Sequence, residues 1–596
     1  MSHYRSNLLD LEFNLFDVHR LDHYLEKVSG FDEDTARDVL RQLEHLASGP
    51  WADALIESDR NPPVLSGDQV LLPKGMRTAL DLLRKGGWER LGLPEEMGGT
   101  PVPHLLFWAT QELLLGANTP ATFYAGGSLF ARVLFEEGTE AQKALARLAV
   151  ERAWAGTMQL TESDAGSDVG AGTTRAIHVE ADTYHLEGVK RFITGGDHDG
   201  AENILHLVLA RTVGAGSGTK GLSLFAVPKY LVTKDGEPGE RNGIVATRLE
   251  HKLGLNGSAT CEMTLGAERP CVGYLVGGRQ DGIRQMFRVI EHARMTIGTK
   301  AAATLSTGYL NALQYARERV QGPDLARAAD KSAPRVAIIR HPDVRRMLME
   351  QKAHAEGLRA LWTHTAWVRD QADLLADPAL AALAGLLLPL VKGYSSEKAY
   401  ELLALSLQVL GGSGYTEDYP IGQYLRDAKI DSIYEGTTGI QALDLFFRQI
   451  VRDQGKTIAA LASEVADFVK AGSADDPIGP EREELGRLLD DTQAHLGVAV
   501  SYLMASRHEA EQIYRAGLHL NGLLESIAET IIAWRLLEHA AVAIRLLEER
   551  PDDGFLIGKI ASARFFVRHV APKAEARRTA VEAEDGALMA MPDTAW

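Results

Sequence analysis

From about Asp32 to Trp154 apolar residues recur at three- and four-residue spacings with few β-branched runs, which predicts amphipathic helices. Gly98-Gly99, Pro101, Pro103 and Gly126-Gly127 punctuate that stretch as loops. Between about Thr161 and Gly277 the texture changes to short β-type runs separated by Gly, Asp and Pro: Thr183–Val189, Ile204–Ala210, Leu222–Val227 and Ile244–Leu249. Helical spacing resumes near Gly282 and runs to about Val451, broken by a loop-like insert from Gly322 to Pro334. Ala471–Pro480 has the composition of a linker, and a further helical block follows from Glu481 to Glu584. The order is helices, a compact β module, helices, then an additional helical module.

Composition narrows the class. At 596 residues the chain exceeds what one core usually supports, and 45 % hydrophobic with 24 % charged residues is globular rather than disordered. The net charge of −18 argues against a nucleic-acid partner, because phosphate binding needs clustered basic residues. Cys261 and Cys271 stand outside any metal-ligand or disulfide spacing, which fits a reducing, cytoplasmic compartment. No apolar run reads as long enough to span a bilayer; the best, Ala381–Val391, contains Pro389. No strand–GxGxxG–helix unit is present, so a flavin or nucleotide has no Rossmann site and must sit between modules.

Three segments carry candidate chemistry: Met158–Gly170 with Arg191–Thr194 downstream, Gln408–Tyr415 with Arg426–Lys429 downstream, and Asp431–Gln441. Gly166, Ser167, Gly411, Gly412 and Gly414 let a ligand approach the backbone and free N–H groups for phosphate or carbonyl oxygens. Thr161 and Thr194 offer hydroxyls to a heteroaromatic ring, and Phe192 a face. Glu435, before Gly436, can project from a sharp turn. Taken singly, a Gly-rich loop is usually a turn and a Glu beside a Gly usually a solvated cap.

Together the segments resemble the acyl-CoA dehydrogenase family. Leu160–Asp168, Phe192–Thr194, Gln408–Tyr415 and Arg426–Thr437 are similar to its signatures, in order and spacing, over roughly Leu91 to Ile450. Met1–Asn7, Phe13–Phe16, Arg60–Pro63, His341–Arg345 and Ile450–Asp453 resemble the extended actinobacterial, broad-range members that carry a C-terminal helical domain. The resemblance implies a mainly α fold with a central β domain: a helical domain (1–155), a β-barrel-like middle domain (156–278), a four-helix-bundle-like domain (279–455) and the extra helical domain (456–596). It implies FAD and α,β-dehydrogenation of an acyl-CoA thioester to the trans-2-enoyl-CoA, the first step of fatty-acid β-oxidation. Glu435 is then the base that takes the α-proton. FAD contacts fall on Met158, Gln159, Leu160, Thr161, Gly166, Ser167, Phe192, Thr194 and Thr437, with Arg319, Gln408, Val409, Leu410, Gly411 and Gly412 reaching the cofactor of a neighbouring subunit. Acyl-CoA contacts fall on Ser167, Glu291, Arg294, Glu435 and Gly436. Electron-transfer flavoprotein is the implied acceptor, and a homodimer the implied assembly, the extension covering the face through which shorter members pair their dimers.

Gln159, Ser163, Gln423 and Gly322 depart from the signatures; Gly322 falls where many relatives place a Phe against adenine. Two other readings share this sequence: an oxidase that returns electrons to dioxygen, and a DNA-associated relative, which the acidic C-terminal block disfavours.

Overall fold

The computed structural model describes residues 2–472 and 475–596. Met1 of the opening motif and Ser473 and Ala474 of the expected linker lie outside them. The chain forms two compact units, Met1–Ser6 with Asp22–Ala293, and Asn7–Leu21 with Arg294–Trp596.

In the first unit the apolar periodicity becomes helices α1 (Glu33–Leu46), α2 (Lys74–Lys85), α3 (His104–Ala125), α4 (Gly127–Glu137) and α5 (Glu140–Glu151). Asp32 starts α1 by accepting from the Thr35 N–H, and Thr139 and Gln142 form a reciprocal capping box on α5. A hairpin, Val64–Ser66 with Gln69–Leu71, interrupts the expected helical stretch. Its strands of three residues each are too short for a period of two to be read from sequence.

The middle of this unit is an eight-stranded sheet. Its strands are β1 (Ala155–Gln159), β2 (Arg175–Glu180), β3 (Thr183–Thr194), β4 (Ile204–Thr212), β5 (Leu222–Pro228), β6 (Ile244–Leu249), β7 (Thr260–Leu265) and β8 (Cys271–Leu275). They run in the order β6-β7-β3-β8-β5-β4-β1, with β2 beside β3 and β4. Strand β5 is buried along its whole length, which is why it reads as a continuous apolar run rather than an alternation. Leu205, Leu207, Leu209, Leu224 and Ala226 meet Ala131 and Leu134 of α4 and Ala146 and Ala149 of α5 in one core. Cys261 and Cys271 are buried free thiols.

The second unit is helical. Helix α6 (Gly282–Glu318) enters it from the first; α7 (Pro342–Leu375) and α8 (Pro378–Leu410) follow, each with proline in its first turn, where the absent N–H costs nothing. The insert expected as a loop, Gly322–Pro334, is mostly the loop of a small hairpin, with only Gly322 and Pro323 in a strand: Val320–Pro323 pairs with Arg335–Ala337. Gly322, at φ +72°, sits in its first strand. Helix α8 also corrects the expectation that no apolar run could reach across a bilayer. By length and composition the stretch Pro378–Tyr415 is long and apolar enough, and most of its apolar part is buried within the protein.

The extension forms α9 (Lys456–Lys470), α10 (Gly479–Ala505), α11 (Gln512–Leu547) and α12 (Gly554–Glu582). It docks directly on α7 and α8. A Cβ at Gly357 of α7 would lie 2.5 Å from the Ile532 side chain, and one at Gly393 of α8 would lie 3.1 Å from Leu524. The N-terminal segment Asn7–Leu21 completes this unit. Asp10 is fully buried there between Lys559 of α12, at 2.8 Å, and Arg359 of α7. Lys559 also lies 3.3 Å from Glu356. Burial alone would raise the Asp10 carboxyl, but Lys559 and Arg359 outweigh it and hold the group down at about 2. Phe13 packs edge-on against Phe555 and His539.

Candidate active site

Glu435 follows a one-turn 3₁₀ segment, Lys429–Ser432, and precedes the short helix Thr438–Leu443. Its backbone is left-handed, φ +56°, and so is that of Gly436, φ +85°. For a non-glycine residue that conformation costs about 1–3 kcal/mol and persists only where its surroundings enforce it. Here the surroundings are explicit. The Gln441 amide donates to the Glu435 carbonyl at 3.0 Å and to that of Gly436 at 3.3 Å, and the Lys392 amine donates to the Gly436 carbonyl at 2.5 Å. Among the described residues the Glu435 N–H finds no acceptor.

The Glu435 side chain is half-buried. Desolvation pushes its carboxyl up to about 7, with Lys392 and Arg294 pulling the other way. Upstream, the buried Asp431 accepts from Lys300 at 2.6 Å and from the Tyr434 hydroxyl at 3.0 Å. Arg294 is buried and pairs with Asp444 at 2.7 Å, while Glu291, one turn earlier, is exposed. The arrangement is therefore not the exposed helix-surface ion pair that the i, i+3 spacing of Glu291 and Arg294 also allows. The Thr437 hydroxyl is occupied as N-cap of the short helix, accepting from the Ile440 N–H.

The other expected residues of the second unit gather at one end of α6 and α8. Arg319, Gln408, Gly411 and Gly412 are exposed, and the Tyr315 hydroxyl donates to Ser413 at 3.2 Å, tying the two helix ends together. Gly411 is at φ +58°, with open space where its Cβ and that of Gly412 would be. Val409 and Leu410 point into the core, which leaves only their backbone for a ligand. Tyr415 is 89 % exposed beside this turn.

In the first unit, Thr161 and Thr194 are half-buried, Gly166 and Ser167 exposed, and Met158 and Leu160 lean on the core cluster. Phe192 stands 54 % exposed at φ +60°, with the Arg191 guanidinium 4.7 Å from its ring. Gln159 turns inward to His206 at 3.0 Å, so its side chain serves the β domain and a larger residue is tolerated where the signature prefers a small one.

The Thr161 segment is held from below. Its carbonyl accepts from the Arg191 N–H at 2.9 Å, and the buried Lys190 amine donates to the Leu160 carbonyl and to Glu162. Glu162 also accepts from the N–H and hydroxyl of both Thr173 and Thr174. Burial raises its carboxyl, but Lys190 and these donors win and hold it at about 2. Lys190→Met strands Glu162 without its cation and is expected to cost about 3–5 kcal/mol. Urea unfolding followed by circular dichroism checks this; an unmoved midpoint would show that the threonines alone suffice.

Sequence reasoning missed Lys190, Glu162, Lys300, Lys392 and Asp444 as builders of the site. One signal was available: Lys392 is the lone charged residue between Pro378 and Ser396, in an otherwise apolar helix.

Family models match along most of the chain. The acyl-CoA dehydrogenase middle domain matches residues 157–267, the acyl-CoA dehydrogenase C-terminal domain 280–448, and a model described as acetyl-CoA dehydrogenase C-terminal like 461–592. The broad-specificity linear acyl-CoA dehydrogenase FadE5 of Mycobacterium tuberculosis is 49 % identical over 611 residues, covering all of both chains. The 3-methylmercaptopropionyl-CoA dehydrogenase of Ruegeria pomeroyi is 35 % identical over 94 % of each. The solved acyl-CoA dehydrogenase of Bacillus anthracis, a complex with FAD, superimposes with a TM-score of 0.72 at 19 % identity, over 94 % of this chain and 90 % of that one. The chain belongs to the acyl-CoA dehydrogenase family, a family of oxidoreductases. Its members use FAD.

The residues present suit that cofactor. Phe192 is an aromatic held out from the core by a strained backbone, and Gly166, Gly411 and Gly412 are exposed positions where added Cβ atoms would meet nothing within 4 Å.

Proposed function

We propose that the chain oxidises linear acyl-CoA thioesters to trans-2-enoyl-CoA in the cytoplasm, as a homodimer that passes electrons to electron-transfer flavoprotein. The observation that carries this is Glu435: a carboxylate in a strained turn, desolvated until its proton affinity sits near neutrality. A general base works best when its pKa lies close to the working pH. Full-length similarity to a broad-specificity linear acyl-CoA dehydrogenase supports the substrate class.

In this reading the thioester carbonyl accepts from the Glu435 N–H, which has no acceptor of its own among the described residues. A preorganised donor aimed at the oxygen where enolate charge develops contributes roughly 3–4 kcal/mol. The Glu435 carboxylate then removes the α-proton. Thr161, Gly166, Phe192 and Thr194 hold the flavin portion, with Met158, Gln159 and Leu160 contributing backbone. FAD held at these residues would supply the acceptor for the β-hydride. Ser167 and Gly436 are the residues this reading assigns to the CoA thioester, and Arg294 pairs with Asp444 at 2.7 Å beside the Glu435 turn.

Anaerobic mixing of the holoenzyme with linear acyl-CoAs of increasing length is expected to bleach the flavin. Turnover then requires electron-transfer flavoprotein or a dye. Stoichiometric peroxide formed with dioxygen alone would assign the chain as an oxidase instead, and absence of bleaching with every acyl-CoA would overturn the reading.

A further inference from the structure

Helix α8 carries a fully buried lysine in an apolar environment, and a buried ammonium is retained only where something repays its desolvation. Lys392 has two such compensations. Its amine donates to the Gly436 carbonyl at 2.5 Å, and its charge faces the carboxylates of Asp431, Glu435 and Glu397, with Arg294 as the nearby like charge. Asp431 is already engaged by Lys300 and Tyr434, Glu397 accepts from the Thr438 hydroxyl at 2.6 Å, and Arg294 is paired with Asp444. Neither Glu435 nor Glu397 has an ion-pair partner among the described residues, and of the two only the Glu435 carboxylate also lacks a hydrogen-bond partner there.

The backbone geometry makes the same point. Two consecutive left-handed residues turn the Glu435 and Gly436 carbonyls toward α8 and the short helix, where Lys392 and Gln441 catch them. The Gln441 amide nitrogen lies so close beneath the turn that a Cβ on Gly436 would come within 2.8 Å of it. Without these donors the strain of a left-handed glutamate has nothing to oppose its relaxation.

We propose that Lys392 is a positioning residue for the reaction: it pins the Gly436 carbonyl, so that Glu435 stays in its strained turn, and its charge keeps the Glu435 carboxylate available as a base. The inference rests on the reading of Glu435 as that base. Lys392 touches neither reacting atom; it acts through the turn. Its two contributions, a donated hydrogen bond and a positive charge, are separable by substitution. Lys392→Met removes both. Lys392→Gln keeps an N–H donor and removes the charge.

The test is anaerobic flavin reduction by a linear acyl-CoA in single turnover, measured from pH 6 to pH 9, on wild type and both variants loaded with FAD. In Lys392→Met the limiting rate is expected to fall about 10- to 100-fold, the scale of a base displaced by about 1 Å. The acid limb of its rate profile should move to higher pH, because a positive neighbour has been lost, while the acyl-CoA dissociation constant changes little. Lys392→Gln should recover much of the rate and keep the shifted limb. Wild-type rate and an unmoved acid limb in Lys392→Met overturn the proposal. So does a loss that tracks melting temperature with no shift of the limb, which marks a merely structural lysine. Should Lys392→Met fail to fold, Lys392→Gln decides alone: an unmoved limb overturns, a shifted one supports. Failure of wild type itself to reduce its flavin would sink the parent reading and is distinguishable from all of these.

Discussion

Glu435→Gln is expected to yield a yellow protein that binds acyl-CoA and reduces its flavin about a hundred- to ten-thousandfold more slowly, the range that a positioned general base supplies. The amide preserves the shape of the side chain and leaves the backbone clamp from Lys392 and Gln441 intact, so the loss isolates proton abstraction. In the wild type the same assignment fixes the direction of the pH dependence. The base must be deprotonated, its carboxyl is raised to about 7, and reduction should accelerate as pH climbs through that value. The variant should show no such limb. Stopped-flow absorbance under anaerobic conditions reads both quantities, and bleaching of Glu435→Gln at the wild-type rate would remove Glu435 from the mechanism.

Deleting the chain after Asp453 is expected to produce an insoluble or aggregated protein rather than a smaller working enzyme. The deletion takes away α9 to α12 and bares the faces of α7 and α8, where Gly357 receives Ile532 and Gly393 receives Leu524. It also leaves Asp10, Arg359 and Glu356 without Lys559. Apolar area on this scale does not remain exposed in a soluble monomer. Soluble yield and light scattering check the result. The full chain should scatter as twice 64.9 kDa, and a soluble truncated dimer would show that the extension is accessory.

The helix–sheet–helix–helix order was legible because each module keeps one period for long enough to be read. Thr183–Thr194 is a strand of twelve residues, and Gly282–Glu318 a helix of thirty-seven. What escaped has a physical reason in each case. The hairpin at Val64–Leu71 is too short to show alternation, and Val320–Pro323 pairs across a break in register that no local pattern announces. In α8, Pro389 reads as a breaker, yet the helix continues through it because tertiary packing overrides local propensity. Glu435 and Phe192 were legible only through the motifs they sit in, since singly each has a bland reading, and the structure finds both in left-handed backbone. The side chains that hold them in place were not: Lys190 and Lys300 are ordinary lysines until burial and a partner are known, and Lys392 offered only its place in an apolar run. Gln159 was legible as a departure but not as a residue whose side chain faces His206.

The pairing of Asp10 with Lys559 joins the beginning of the chain to nearly its end, 549 positions apart. A ribosome adds roughly 5–20 residues per second, so Asp10 emerges between about half a minute and two minutes before Lys559 exists. Throughout that interval the segment Asn7–Leu21 has no finished place to lie, because α12, which supplies both Lys559 and Phe555 to it, is still being made. The second unit therefore closes only once α12 has been made, and the residues of Asn7–Leu21 stay hydrated until then. An acidic, polar-flanked opening such as Asn7–Glu12, rather than a purely apolar one, suits a strand of chain that has to wait in water before it is buried.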